Sequence, residues 1–369
     1  MNNEHYYFID RLKVFLVCIV IFHQSLVAFG GAGQWYYTSN HHFTGTALIA
    51  VNTIETINLT FIIPMFFLLG AILAHYSYKR HGFKEYVKRR FIRLGIPALI
   101  YGLIVHPTIL YFVAIAQDVD AKWLEFVFQK NFQNFSFGPM WFVAALLVIE
   151  IIYAVIKHLK ISADRIVADI WHQTPSLRAT VFILIIGALL FITRLTVPAF
   201  ASSSNQLGFY PLYLGMFVSG LIDARYNWTE RIKPYYAYPW LTFSLLCLPL
   251  LLLSINYIKD WTPFAGGFSS QSLFLSFWEA MTCIGVCIFL TAFFLQHFNN
   301  PSPYTAELAN LAFAAFILHP IAIIPLTFLF ESIQITLFSK WLITGIMSCT
   351  ICFGAAYLLR KIPGFKNLF

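Results

Sequence analysis

The stretch Lys13-Val14-Phe15-Leu16-Val17-Cys18-Ile19-Val20-Ile21-Phe22-His23-Gln24-Ser25-Leu26-Val27-Ala28-Phe29 decides the fold. A single cation stands at its foot, and the next ionisable group with a usual charge near neutrality is His23. A bilayer core takes about 20 apolar residues of helix, because lipid offers no partner to an open backbone N–H or C=O. This first run covers about 12–30. Nine more follow, near 57–77, 94–115, 140–158, 179–196, 208–224, 238–257, 272–295, 309–330 and 337–359. Pro64, Pro97, Pro107, Pro211, Pro249 and Pro320 fall within them, as spanning helices tolerate. A stretch at 44–56 is too polar for an eleventh and reads as an interfacial or re-entrant piece.

Composition agrees. Of 369 residues, 59% are hydrophobic and 11% charged, against roughly 25% charged in soluble proteins. The chain lacks the charged skin of a soluble enzyme, a disordered protein or a nucleic-acid binder. Its net charge of +8 resolves into short basic clusters between apolar runs. With the N-terminus inside and ten crossings, the inner segments hold Arg11 and Lys13, the cluster from Lys79 to Arg93, then Lys157, Lys160, Arg165, Arg178, Arg225, Arg231, Lys233, Arg360, Lys361 and Lys366. Only Lys122, Lys130, Arg194, Lys259 and Lys340 fall outside. That bias places both termini in the cytoplasm of a multi-pass plasma (inner) membrane protein.

No internal repeat, low-complexity segment or long linker interrupts the pattern. The reading is a single all-α membrane domain over 1–369, about ten transmembrane helices in one bundle. The first run is long and lacks a clear cleavage site, so it is not a removable signal. All six cysteines lie in apolar runs without a His or Asp cluster, which reads as reduced packing thiols and no metal site. Trp35, Tyr36, Tyr37, Trp123, Trp141 and Trp261 lie near run ends, where an aromatic belt belongs.

Ionisable groups inside spanning helices are expensive and need a reason. His23 lies about 15 Å beyond Lys13 at the helical rise, halfway across the hydrocarbon. Arg90 and Arg93, three apart, share a helical face and make a fork for phosphate. Glu279, beside Trp278, requires a cation or a shifted titration. His319 precedes Pro320, which marks a kinked or broken helix. His75 and His106 read as hydrogen-bonded packing residues, and Arg194 as a group near the outer boundary.

In order along the chain, these pieces resemble the acyltransferase-3 family of integral membrane acyltransferases, which includes O-antigen and periplasmic-glucan modifying enzymes. The resemblance rests on Tyr7-Phe8-Ile9-Asp10-Arg11-Leu12-Lys13 through His23, Gly30-Gly31-Ala32-Gly33-Gln34-Trp35-Tyr36-Tyr37, and Pro64-Met65-Phe66-Phe67-Leu68-Leu69-Gly70. It continues in Arg90-Phe91-Ile92-Arg93 with Pro97, Gly138-Pro139-Met140-Trp141-Phe142, Trp278-Glu279 and Leu318-His319-Pro320. One position departs: the family sets a His eleven residues after its basic residue, and eleven after Lys13 stands Gln24, with His23 one earlier. His23 is thereby turned by about 100° from the face of Lys13.

The resemblance implies transfer of an acetyl- or succinyl-like group from cytoplasmic acyl-CoA, acetyl-CoA first, to a hydroxyl of a carbohydrate or related envelope acceptor. Lys13, Arg90 and Arg93 would hold the donor. His23 would act as base or carry the acyl group, with His319 in reserve and Glu279 orienting the imidazole. The rival classes are a secondary transporter or polysaccharide exporter, and a receptor. No inverted repeat supports a transporter.

The charge pattern makes a direct prediction. Reporter fusions at the C-terminus and in the 116–136 loop are expected on opposite sides of the membrane. An external C-terminus would overturn the count of ten crossings.

Overall fold

In a computed structural model, residues 6–31, 33–120, 122–130, 135–161, 174–199, 206–227, 232–258 and 262–362 are described. Arg165, Arg231, Lys259, Trp261 and Lys366 of the charge and aromatic patterns lie outside them. Among the described residues every regular element is helical. The main helices are α1 (Tyr7–Ala28), α2 (Gly45–Arg90), α3 (Ile96–Ile100), α4 (His106–Ala116), α5 (Trp141–His158) and α6 (Pro175–Arg194). They continue as α7 (Tyr210–Tyr226), α8 (Tyr238–Ile258), α9 (Ser270–His297), α10 (Pro303–Glu331) and α11 (Leu337–Arg360).

All ten apolar runs fall on helices, and eight stretches are long and apolar enough to cross a membrane. One of the eight, Gly45–Ala116, has 72 residues, about 108 Å of helix at the standard rise, more than twice a bilayer. It holds two of the runs. Gly82 divides them, with φ 73° and ψ 177°, a region open to glycine and closed to side chains. A Cβ there would meet no neighbouring atom within 4 Å, so the requirement is backbone freedom, not space. The polar stretch at 44–56 is not a separate piece. It is the start of α2, whose first turns continue without a break into the following run.

The chain between α2 and α4 is not plain α-helix. Phe91–Gly95 and Tyr101–Val105 are π turns, closed by bonds from Ile96 N–H to Phe91 O and from His106 N–H to Tyr101 O. Each ends two residues before a proline, Pro97 or Pro107. A proline has no N–H for the preceding turn and its ring crowds that turn; a widened turn relieves both demands.

The described chain divides into two compact units. The first comprises Met1–Leu12, Thr56–Tyr86 and Glu150–Asn300. Its centre is α9, buried along most of its length against α6 and α8. Close approach is set by small residues: a Cβ on Gly187 would stand 2.7 Å from the Phe277 ring, and one on Gly220 would stand 2.3 Å from the Leu68 carbonyl oxygen. Trp278 Nε1 donates to the Ser244 carbonyl at 3.0 Å, tying α9 to α8.

The second unit comprises Lys13–Glu55, Val87–Ile149 and Pro301–Phe369. Here α10 and α11 form a tightly packed antiparallel pair. Leu26, Phe29, Phe43, Val51, Leu326 and Phe330 make a buried cluster that joins the end of α1 to α2 and α10. Trp341 on α11 donates to the Phe22 carbonyl at 2.8 Å. That carbonyl also accepts from Ser25 Oγ at 2.9 Å, one residue before His23.

Candidate functional site

The sequence places a proline inside α10, and the chemistry of the second unit follows from it. Helix α10 runs unbroken from Pro303 to Glu331 through Pro320, so the expected break at His319-Pro320 does not occur. An in-helix proline cannot donate to the carbonyl four residues earlier, and for Pro320 that carbonyl belongs to Phe316. The imidazole of His319 takes it, with Nδ1 bonded to Phe316 O. A carbonyl only accepts, so Nδ1 carries the hydrogen, and in the neutral ring Nε2 is a bare lone pair. His319 is fully buried, and its Nε2 has no protein partner among the described residues.

The ring is held from the sides. Trp35 stacks on it with centroids 5.6 Å apart and planes at 23°, and Phe316 lies 5.1 Å away. Phe142 of the Gly138-Pro139-Met140-Trp141-Phe142 motif packs edge-on against Phe316.

Trp35 belongs to an extended strap between α1 and α2. Trp35 lies on His319, Tyr37 stacks on Phe328, and Ser39 Oγ and Asn40 N–H both donate to the Glu331 carboxylate at 2.8 Å. Residues 35, 37 and 39 thus face α10, while Tyr36 between them points the other way. Its hydroxyl shares hydrogen bonds with His106 Nδ1 at 2.8 Å and with the Tyr101 hydroxyl at 3.1 Å. Burial pushes the Tyr36 phenol above its ordinary value, so it remains a neutral hydroxyl. Tyr37 is buried and Trp35 and Tyr36 are half-buried, with their ring contacts made within the unit.

Gly138 closes this side. Its φ is +50°, and a Cβ on it would stand 2.5 Å from the Tyr36 hydroxyl and 2.9 Å from His106 Nδ1. The glycine of the motif is thereby required twice, for its backbone and for space.

The other expected residues lie as follows. His23 and Lys13 are half-buried on α1, which has no irregularity between them, so the offset of His23 from Lys13 stands. Arg90 ends α2 half-buried, and Arg93 is exposed within the first π turn. The wider turn between them replaces the plain α spacing expected from the sequence. Glu279 is in the first unit, buried, and bonded to Arg194 Nη2 at 2.5 Å. Arg194 also donates to Ser276 Oγ at 3.2 Å, lies 5.1 Å above the Phe209 ring, and has a side-chain exposure of 0%. Arg194, the last residue of α6, is the cation that a carboxylate inside α9 needs. The orienting partner of His319 is likewise the Phe316 carbonyl, where a triad-like carboxylate was expected of Glu279. Arg194 was visible in sequence as a last-turn cation of an apolar run, without a sign of its partner.

The chain belongs to the acyltransferase-3 family: the family's model, described as an acyltransferase domain, matches residues 6–358. No curated protein and no solved structure matches the chain. The protein is an acyltransferase, and the transporter and receptor alternatives fall away.

Two predictions follow from this geometry. Pro320→Ala returns an N–H to the Phe316 carbonyl and frees the His319 ring. Turnover is expected to fall about 10²-fold, the scale of a misplaced group, with no loss of thermal stability. Arg194→Met leaves Glu279 buried without its cation and is expected to cost about 3–5 kcal/mol, while adding Glu279→Met restores most of it. Unfolding midpoints in detergent check the second. A double variant as unstable as the single one would contradict the pairing.

Proposed function

We propose that the protein moves an acetyl- or succinyl-like group from cytoplasmic acyl-CoA to a hydroxyl of a cell-envelope carbohydrate or related acceptor. The membrane is the plasma (inner) membrane, with both termini cytoplasmic. The observation that carries the reading is the bare Nε2 of His319, held in one tautomer inside the unit that also bears the Arg90–Arg93 segment. A neutral imidazole with one nitrogen committed to a carbonyl and the other a bare lone pair is suited to taking a hydroxyl proton.

In this reading Nε2 takes the acceptor's proton as its oxygen attacks the thioester carbon. The tetrahedral intermediate collapses, the C–S bond breaks, and the departing thiolate takes the proton back from the imidazolium. Lys13, Arg90 and Arg93 hold the phosphates of the donor, guanidinium groups being the better fork for them. His23, the imidazole of the α1 signature, is the second candidate for the same proton.

The test is thiol release from acetyl-CoA by the purified full-length protein with envelope glycans as acceptor. His319→Ala is expected to lower turnover by about 10²–10⁴-fold with donor binding intact. Arg90→Ala or Arg93→Ala is expected to weaken donor binding by about 1.5–3 kcal/mol. Loss of turnover in His23→Ala, with His319→Ala near wild type, would move the base to α1.

A further inference from the structure

Two polar atoms of the second unit are buried without a protein partner and belong to rings in direct contact. One is Nε2 of His319; the other is Nε1 of Trp35. They are chemically opposite. The indole N–H only donates, and the imidazole Nε2, with Nδ1 committed to Phe316, only accepts. Leaving either unmade costs free energy in a buried setting. One small group satisfies both: a hydroxyl, which has one hydrogen to give and lone pairs to offer. The two rings are stacked on one another, with centres 5.6 Å apart and planes at 23°.

We infer that Trp35 and His319 form a hydroxyl-binding pair, in which the acceptor's O–H donates to His319 Nε2 while its oxygen accepts from Trp35 Nε1. This deepens the proposed function and rests on it for the fate of the hydroxyl: it names the feature of the acceptor that the site reads. The indole fixes the oxygen, and the imidazole receives the proton as the new O–C bond forms and the thioester C–S bond breaks. A ketone or an ether offers the first bond and not the second. The strap is what makes the pair, since it delivers Trp35 to His319 and is anchored beyond it at Tyr37 and at Glu331.

The test uses the full-length protein in detergent with ¹⁵N-labelled tryptophan. The Trp35 indole resonance is assigned by its loss in Trp35→Phe, a change that keeps an aromatic ring on His319. Methyl glucoside is the probe, and tetrahydropyran, a ring without hydroxyls, is the control. Methyl glucoside is expected to move the Trp35 resonance, and tetrahydropyran, which has no O–H for His319 Nε2, to move it far less at the same concentration. Trp35→Phe and His319→Ala are each expected to weaken methyl glucoside binding about tenfold, as followed by calorimetry. An unmoved resonance at saturating glucoside, equal shifts from both probes, or unchanged affinity in Trp35→Phe would overturn the pair. Thiol release from acetyl-CoA is measured in parallel. A shifted resonance with no release under any condition would sink the acyl-CoA reading and leave the hydroxyl pair standing.

Discussion

The carbonyl of Phe316 is the constraint on which the second unit depends. Pro320 deprives it of its helical partner, and a helix interior cannot leave it open without cost. His319, one residue earlier, is the side chain that reaches it. One hydrogen bond therefore repairs the helix, selects the imidazole tautomer and leaves the other ring nitrogen a bare acceptor. The fold obtains an oriented base from a backbone defect, with no carboxylate spent on the task.

The strap adds the second layer. Six strap residues, 35–40, run beside thirteen of α10 and present two different faces. One face covers His319, Phe328 and Glu331. The other places Tyr36 between His106 and Tyr101, above a glycine that admits no side chain. Residues from four separated parts of the chain meet there, and each is fixed by a local rule of its own: the π turn before Pro107, the left-handed Gly138, the in-helix proline, and the alternation of the strap.

Much of the fold was legible in the sequence, since spanning helices declare themselves by length and composition alone. All ten apolar runs became helix, and the family resemblance held over nearly the whole chain. What the sequence concealed were relations between distant residues. Trp35, Tyr36 and Tyr37 have the composition of a boundary belt, and the sequence gives no sign of the contacts they make with His319, His106 and Phe328. Arg194 is indistinguishable from a loop charge until Glu279 appears opposite it. The His-Pro pair was visible, yet it was read as a break, because the repair of the proline's missing bond by a neighbouring side chain is a matter of geometry and not of propensity. The start of α2 was obscured by its polarity, which a helix tolerates where it stands clear of hydrocarbon.

The buried ion pair of the first unit also bears on how the chain enters the membrane. Arg194 and Glu279 are separated by 85 residues, so α6 leaves the ribosome well before α9. A lone arginine or glutamate in hydrocarbon is unfavourable by several kcal/mol, and neither helix neutralises its own charge. The ion pair can form only once both helices are present, so the later helix completes the burial of the earlier one's last residue.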